Sequence, residues 1–293
     1  MANTIAIITV FYPNTSHLEN VRKIAEQVNK VIICDNSPEN NLLLFKSINN
    51  LQYCFWGENL GLSLGFNKIL KNTNFAWQDD DFIIFFDQDT KIPEKHIVTL
   101  EKDYEWLEKK NYAVGCVGPV FFNESMQKTE IPTLKKVVSD NIIAVKSMIT
   151  SSMLCKYKNL RKIGFWNEEI FLDMADWDIC WRFRYNGMSC FMTNATIIHH
   201  TVGEGKKRIF GFFDLRIAKP FREYYQTRDC LYLFWKKYIP WNFRMRFILR
   251  LTVRNVLHIF FLDEPMLRLQ YIIQGIRDYI NNIHGVLNLE KEV

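Results

Sequence analysis

Short apolar runs alternate with stretches of helical periodicity through the first half of the chain. Ile5 to Phe11 is a β-branched run that reads as a buried strand, and Leu18, Val21, Ile24, Ala25 and Val28 then recur at helical spacing. Val31 to Cys34 is a second strand, closed by the turn-forming Asp35-Asn36-Ser37-Pro38, and Leu51 to Trp56 is a third. Gly61 to Lys71 reads as a glycine-containing turn opening a helix. Phe82 to Phe86 is a fourth strand that ends at Asp87, with a helix from near Pro93. Strands separated by helices predict an α/β domain with a mixed, mostly parallel sheet covered on both faces. Ligands of such sheets bind beyond the carboxyl ends of the strands, where Asp35 and Asp87 both stand.

The pattern then loosens. Val114 to Phe122, Ile142 to Ile149 and Phe191 to His199 read as strands, Asn159 to Gly164 as a short turn or helix, and Asp176 to Tyr185 as a helix stopped by Asn186-Gly187. No internal repeat is visible. Between Asp229 and Asp263 no acidic residue occurs, and Arg246, Arg250, Arg254 and His258 recur every four positions. This stretch predicts a basic amphipathic helix, with Trp235, Trp241 and Phe243 just ahead of it. The division expected is a catalytic domain over 1–229 and a helical region over 230–293.

Composition adds exclusions. With 48% hydrophobic and 24% charged residues the 293-residue chain is neither disordered nor fibrous, and it is long enough to bury a core unaided. A net charge of +5 is too small to argue for nucleic acid. Seven scattered cysteines without a Cys-x-x-Cys pair predict free thiols in a reducing compartment and no zinc site. The N-terminus lacks a basic leader, and no run of about 20 apolar residues is present, so a cytoplasmic protein without a membrane span is expected.

Phe86-Asp87-Gln88-Asp89 is the sharpest chemical feature. Alternate residues of an extended segment point the same way, so Asp87 and Asp89 can face one site. Two hard oxygen ligands suit Mg²⁺ or Mn²⁺, and such an ion neutralises a departing diphosphate. The alternative is a polar loop in which Asp89 caps the next helix. Asp79-Asp80-Asp81 reads as a solvated turn. Asp173, Asp176 and Asp178 lie among bulky apolar residues, where an acid can serve as a general base; they can equally cap the following helix and neutralise Arg182 and Arg184. His199-His200, followed by Gly203, Gly205 and Lys206 to Arg208, offers a further metal ligand and phosphate contacts, or only structure. Arg222, Tyr225 and Arg228 put cations and an aromatic on neighbouring turns of a helix. Gly61-Leu62-Ser63-Leu64-Gly65 matches a hydrolase nucleophile elbow with Ser63 at its centre, but Gly57-Glu58-Asn59 interrupts the strand that an elbow needs.

Taken in order, these pieces resemble family 2 glycosyltransferases of the GT-A fold, from about Ile5 to Asp229. The carrying residues are Thr9 to Pro13, Ile33 to Ser37, Glu58 to Gly61 with Gly65 and Asn67, Asp87-Gln88-Asp89, Phe171-Leu172-Asp173 with Asp176, and His200. The Asp-Gln-Asp form, Phe-Leu-Asp-x-x-Asp-x-Asp and Arg222-Glu-Tyr-Tyr-x-x-Arg228 look most like the rhamnosyltransferase-like branch. Where many relatives have Glu-Asp this chain has Ala175-Asp176; Ser152 stands for a common glycine and Asp229 for a common asparagine.

The resemblance implies an inverting, metal-dependent transferase with a Rossmann-like nucleotide-sugar-binding domain. Asp35 would bond the nucleobase, with Phe11 and Tyr12 lining that pocket. Asn59, Gly61 and Asn67 would lie by the nucleotide, and Asp87 by the ribose or the metal. Asp89 and His200 would join Asp87 on Mn²⁺ or Mg²⁺. Asp176 would be the base, and Asp173, Trp177, Asp178, Arg222, Tyr225 and Arg228 would serve acceptor or diphosphate. The donor implied is dTDP-rhamnose, or else a UDP-hexose such as UDP-galactose, UDP-galactofuranose or UDP-glucose. The acceptor implied is a lipid-linked saccharide or growing bacterial surface polysaccharide. The basic helix would then dock on the inner face of the cell membrane, or else pack on the domain or form a homodimer contact.

Overall fold

The computed structural model describes residues 2–124, 126–132, 135–200, 205–209 and 213–287. Strands β1 (Thr4–Val10), β2 (Lys30–Asp35), β3 (Leu51–Phe55) and β4 (Phe82–Asp87) pair in parallel, with β1 between β2 and β4. Helices α1 (Thr15–Ala25), α2 (Leu42–Phe45), α3 (Gly61–Leu70) and α4 (His96–Lys109) connect and follow them.

The pleat sends Ile5, Ile7, Ile32, Cys34, Ile83 and Phe85 into one apolar layer. Ala6, Ile8, Val31, Ile33, Ile84 and Phe86 go into the layer on the opposite face. Both faces are therefore covered, which is why these strands read as unbroken apolar runs rather than alternating ones.

The second half adds β5 (Val114–Asn123), β6 (Lys128–Glu130), β7 (Lys135–Val137), β8 (Ile142–Val145), β9 (Met153–Lys156) and β10 (Ser189–His200). The ten-stranded sheet runs β3-β2-β1-β4-β9-β5-β10-β8-β7, with β6 beside β5. Strand β9 is antiparallel to both β4 and β5, while β10 lies parallel to β5, so the sheet is mixed. A small hairpin, β11 (Lys206–Ile209) and β12 (Phe213–Arg216), stands apart.

Helices α5 (Tyr157–Lys162) and α6 (Ala175–Tyr185) precede β10. After the hairpin come α7 (Arg222–Phe234), α8 (Trp241–Leu249), a π-helical turn (Arg250–Arg254), α9 (Asn255–Phe261) and α10 (Pro265–Ile280). Helix α7 runs straight through position 229. Helix α10 packs on α7 so closely that a Cβ on Gly275 would meet the Tyr224 carbonyl oxygen at 2.8 Å.

Several expectations need correction. Asp79 and Asp80 are exposed and pair with Arg161 and Lys158, but Asp81 is buried and accepts backbone N–H bonds from Asn3 and Gln78 at the mouth of β4. The basic row does not form one straight helix, because the π turn interrupts it. Its Arg254 and His258 point inward, where with Arg268 they surround the buried carboxylate of Glu223. A sealed carboxylate needs counter-charge, and that demand outweighs exposure to solvent. The seven thiols are free, as expected, yet Cys116, Cys180 and Cys190 converge, with their sulfurs within 4.8 Å of one another.

Candidate active site

Asp87 ends β4 and Asp89 follows it into the loop. His200 ends β10 and is brought alongside by a backbone bridge between Lys91 and His199. The His200 Nε2 lies 3.8 Å from an Asp87 carboxylate oxygen, and its Nδ1 lies 3.7 Å from one of Asp89. Ligand atoms from all three side chains fall within 4.8 Å of one another. Burial pushes the Asp87 carboxyl up, His200 pulls it back, and Asp89 pushes it further. Among the described residues the buried His200 Nδ1 has no hydrogen-bond partner, so it is available as a ligand atom. Two carboxylates and an imidazole are a donor set that fits Mn²⁺ or Mg²⁺. The neighbouring residues Thr201, Val202, Gly203 and Glu204 lie outside the described residues.

Gln88, between the two acids, faces the other way and bonds the Phe11 backbone with both ends of its amide. Thr90 bonds Ser151 in the turn before β9. The metal loop is thus fixed to β1 on one side and to the β9 turn on the other.

A pocket of about 450 Å³ opens at the carboxyl ends of β1 and β2. Thr9, Phe11, Asn36, Asn59 and Gly61 form one wall, and Phe171, Tyr225, Tyr271 and Leu287 face them. Gly61 has φ +69°, and a Cβ there would sit 2.4 Å from the Phe171 carbonyl oxygen, so only glycine admits this approach. The Asn59 side chain accepts the Gly61 N–H at 3.0 Å and holds that turn. Tyr225 stacks on Phe171 at 4.5 Å. Thr9 Oγ1 and Asn36 Oδ1 on this wall are buried and have no hydrogen-bond partner among the described residues, so they can bond polar groups of a ligand. Tyr12 is exposed at the rim.

Asp176 opens α6 and does not cap it. One of its oxygens, Oδ1, accepts both the Thr150 N–H, at 3.1 Å, and the Thr150 hydroxyl. Burial pushes its carboxyl up to about 7, with Thr150 opposing and the Asp87 charge adding. A half-buried carboxylate with that value is poised to take a proton near neutrality. Asp173 pairs with Arg222 at 2.9 Å. Burial raises Asp173 as well, and Arg222 opposes. The Arg222 guanidinium is partly exposed and close enough to bear on Asp87.

Five anticipated site residues are otherwise engaged. Asp35 is fully buried, with Ser37 N–H at 2.8 Å on one oxygen and Asn41 Nδ2 and the Tyr53 hydroxyl on the other, so it braces its own loop. Asn67 spends its amide on the Trp166 backbone and Glu168. Asp178 is sealed against Tyr238 and Arg182. Trp177 packs on Trp181 and Phe243. Arg228 is buried among Asp229, the Tyr224 hydroxyl and the Gly285 carbonyl, so it ties α7 to the segment after α10. Ser63 is sealed inside α3, which removes the hydrolase alternative.

No family model matches the chain. The dTDP-rhamnosyl transferase RfbF of Shigella flexneri is 23% identical over 297 residues, spanning 97% of each chain. Among solved structures, GalNAc-T7 with UDP, GalNAc and Mn²⁺ superposes with a TM-score of 0.59 at 10% identity, covering 96% of this chain and 57% of that one. The S. aureus TarS fragment 1-349 in complex with UDP-GlcNAc gives 0.57 at 12% identity, covering 96% and 81%. The chain has the GT-A fold of these glycosyltransferases.

Proposed function

We propose that this GT-A chain is a glycosyltransferase that moves a sugar, rhamnose from dTDP-rhamnose, onto a saccharide acceptor, with inversion at the anomeric carbon. The observation that carries the reading is the Asp87–Asp89–His200 cluster at the sheet's carboxyl edge, within electrostatic reach of Asp176. The relative over the whole length carries that donor and sugar in its name.

The nucleoside enters the pocket between Phe11 and Tyr225, where Thr9, Asn36 and Asn59 offer polar contacts. Asp87, Asp89 and His200 would hold Mn²⁺ or Mg²⁺, which when bound would supply positive charge for the diphosphate. Arg222 adds a cation on the same side. Asp176 takes the proton from the acceptor hydroxyl. The acceptor oxygen bonds the anomeric carbon as the bond from that carbon to the phosphate oxygen breaks, and its electron pair leaves with the diphosphate.

The acceptor is a lipid-linked or growing surface polysaccharide, met at the inner face of the membrane. No helix among the described residues is long and apolar enough to cross a membrane. Helices α8 to α10 instead expose Trp241, Ile248, Phe260, Met266 and Ile280, with Lys237 and Arg246 nearby and no acid between Asp229 and Asp263. Apolar wedges with cations around them suit an anionic lipid surface.

The test is a screen of dTDP-rhamnose, UDP-galactose, UDP-galactofuranose and UDP-glucose for release of nucleoside diphosphate, with Mn²⁺, Mg²⁺ or EDTA. Metal-dependent turnover of dTDP-rhamnose above the UDP sugars is expected. Preference for a UDP sugar overturns the donor, and no turnover of any overturns the activity. Co-sedimentation with vesicles containing anionic lipid tests the membrane face; a salt-insensitive dimer that leaves vesicles alone overturns it.

A further inference from the structure

Thr150, Ser151 and Ser152 form a turn that bonds Asp176 on one side and Thr90, just past Asp89, on the other. Ser152 adopts φ +66°, a left-handed conformation that a serine holds only under constraint. Its N–H donates to the Phe85 carbonyl on β4 at 2.6 Å, and its hydroxyl meets His96 Nε2 at 2.5 Å. The other ring nitrogen of His96 bonds Thr196 at 2.6 Å, and burial pushes this imidazole down to about 3, so it stays a neutral strut. Ser151 bonds Thr90, next after the metal loop, and Met153 N–H returns to the Thr150 carbonyl at 2.8 Å. The turn is therefore anchored to β4, α4 and the loop after Asp89 before it reaches Asp176.

At Asp176 the turn delivers two bonds, both to Oδ1. Acids in the first turn of a helix ordinarily bond their own helix's free N–H groups. Asp176 does the reverse. The N-cap of α6 is Met174, which has no side-chain cap bond, and the carboxylate looks outward to Thr150. Among the described residues Oδ2 has no hydrogen bond.

We propose that Thr150 is the positioning residue of this enzyme: it clamps one oxygen of Asp176 and so aims the other at the acceptor hydroxyl. This rests on Asp176 being the base. The N–H alone would leave the carboxylate free to swing about a single bond, whereas N–H and hydroxyl together fix the plane of the group. Catalysis by an oriented base falls steeply with misorientation. Because the same turn bonds Thr90, the base and the metal loop share one frame, which keeps the proton acceptor in register with the leaving group.

The experiment uses the full chain, Mn²⁺ and the nucleotide sugar that the wild type turns over fastest, with water in the acceptor's place and released nucleoside diphosphate as readout. Thr150→Val keeps the branched shape and the N–H but removes the hydroxyl. A kcat lower by about tenfold or more is expected, with KM for the donor within about twofold. Thr150→Ser is expected to restore kcat to within about threefold of wild type. If Thr150→Val does not fold, Thr150→Cys, whose thiol bonds a carboxylate poorly, takes its place with the same expectation. Thr150→Val or Thr150→Cys at wild-type kcat overturns the proposal, as does a loss that appears equally in donor KM or that Thr150→Ser does not rescue. Asp176→Asn separates the two ideas. An inactive Asp176→Asn beside a fully active Thr150→Val overturns only the role of Thr150, and an active Asp176→Asn overturns the base assignment and this proposal with it.

Discussion

Gln88 and Phe11 exchange two hydrogen bonds: the Phe11 N–H donates to Gln88 Oε1 at 2.9 Å, and Gln88 Nε2 donates to the Phe11 carbonyl at 3.1 Å. A side-chain amide here closes a ladder step at the end of β1 and holds Asp87 and Asp89 at their separation. Gln88→Leu keeps the volume and removes both bonds. The donor KM and the Mn²⁺ concentration for half-maximal rate should rise together, by about fivefold or more, since two bonds of about 1 kcal/mol each are lost. Initial rates over a metal titration check this.

Asp89→Ala removes one of three candidate ligands. Metal-dependent binding of the nucleotide sugar should vanish while the melting temperature stays near wild type, because the carboxylate is partly exposed and lies beyond the strand. Calorimetric titration of donor with and without Mn²⁺ separates the two.

Asp176→Asn should lower transfer by about a hundredfold to ten-thousandfold, the range of positioned proton transfer, with donor binding nearly intact. Turnover and equilibrium binding on the same preparation provide the check.

Activity should fall as pH drops through about 7, because burial raises the Asp176 carboxyl to that value and the protonated form cannot act as base. The sign is that of a raised carboxylate: the working, charged form is gained as pH rises. A kcat profile from pH 5 to 9 that is flat through 7 would count against the assignment.

Glu223→Ala should destabilise the chain by about 3–5 kcal/mol, since it leaves Arg254, His258 and Arg268 facing an empty, desolvated space. Burial disfavours the Glu223 charge, yet His258 and Arg254 hold its carboxyl below the ordinary range, so Glu223 is a carboxylate at neutral pH. Urea denaturation at pH 7 measures the loss.

The strands of the first half were legible because both faces of the sheet are covered, which writes β1, β2 and β4 as apolar runs. Strand β9 was not legible. Met153–Lys156 is four residues long with no alternation, and only its place between β4 and β5 makes it a strand. Asp87, Asp89 and Asp176 could be picked out from spacing and resemblance, since strand ends and helix starts have fixed places in this fold. Spacing does not say whether a polar side chain aims into the cleft or at a neighbouring backbone. Asn67 and Arg228 lay in the expected order yet serve Trp166 and Gly285, while Asn36, whose side-chain oxygen on the pocket wall has no partner among the described residues, was missed. The convergence of Cys116, Cys180 and Cys190 is equally a product of tertiary packing, because they come from β5, α6 and β10.

Helix α7 begins with Arg222 beside Asp173 and runs for 13 residues to finish under α10. At 1.5 Å per residue it is a rod of about 20 Å. Any natural or laboratory shuffling that exchanges the carboxyl-terminal bundle for that of another enzyme must carry this rod whole. A junction just before Arg228 would part it from Tyr224, and one just after it from the Gly285 carbonyl; either way a guanidinium in the dry interior loses a partner. The hand-over point compatible with this architecture lies upstream of Arg222, so the whole rod travels with the outward-facing bundle, while Asp87, Asp89, Asp176 and His200 stay on the other side of the junction.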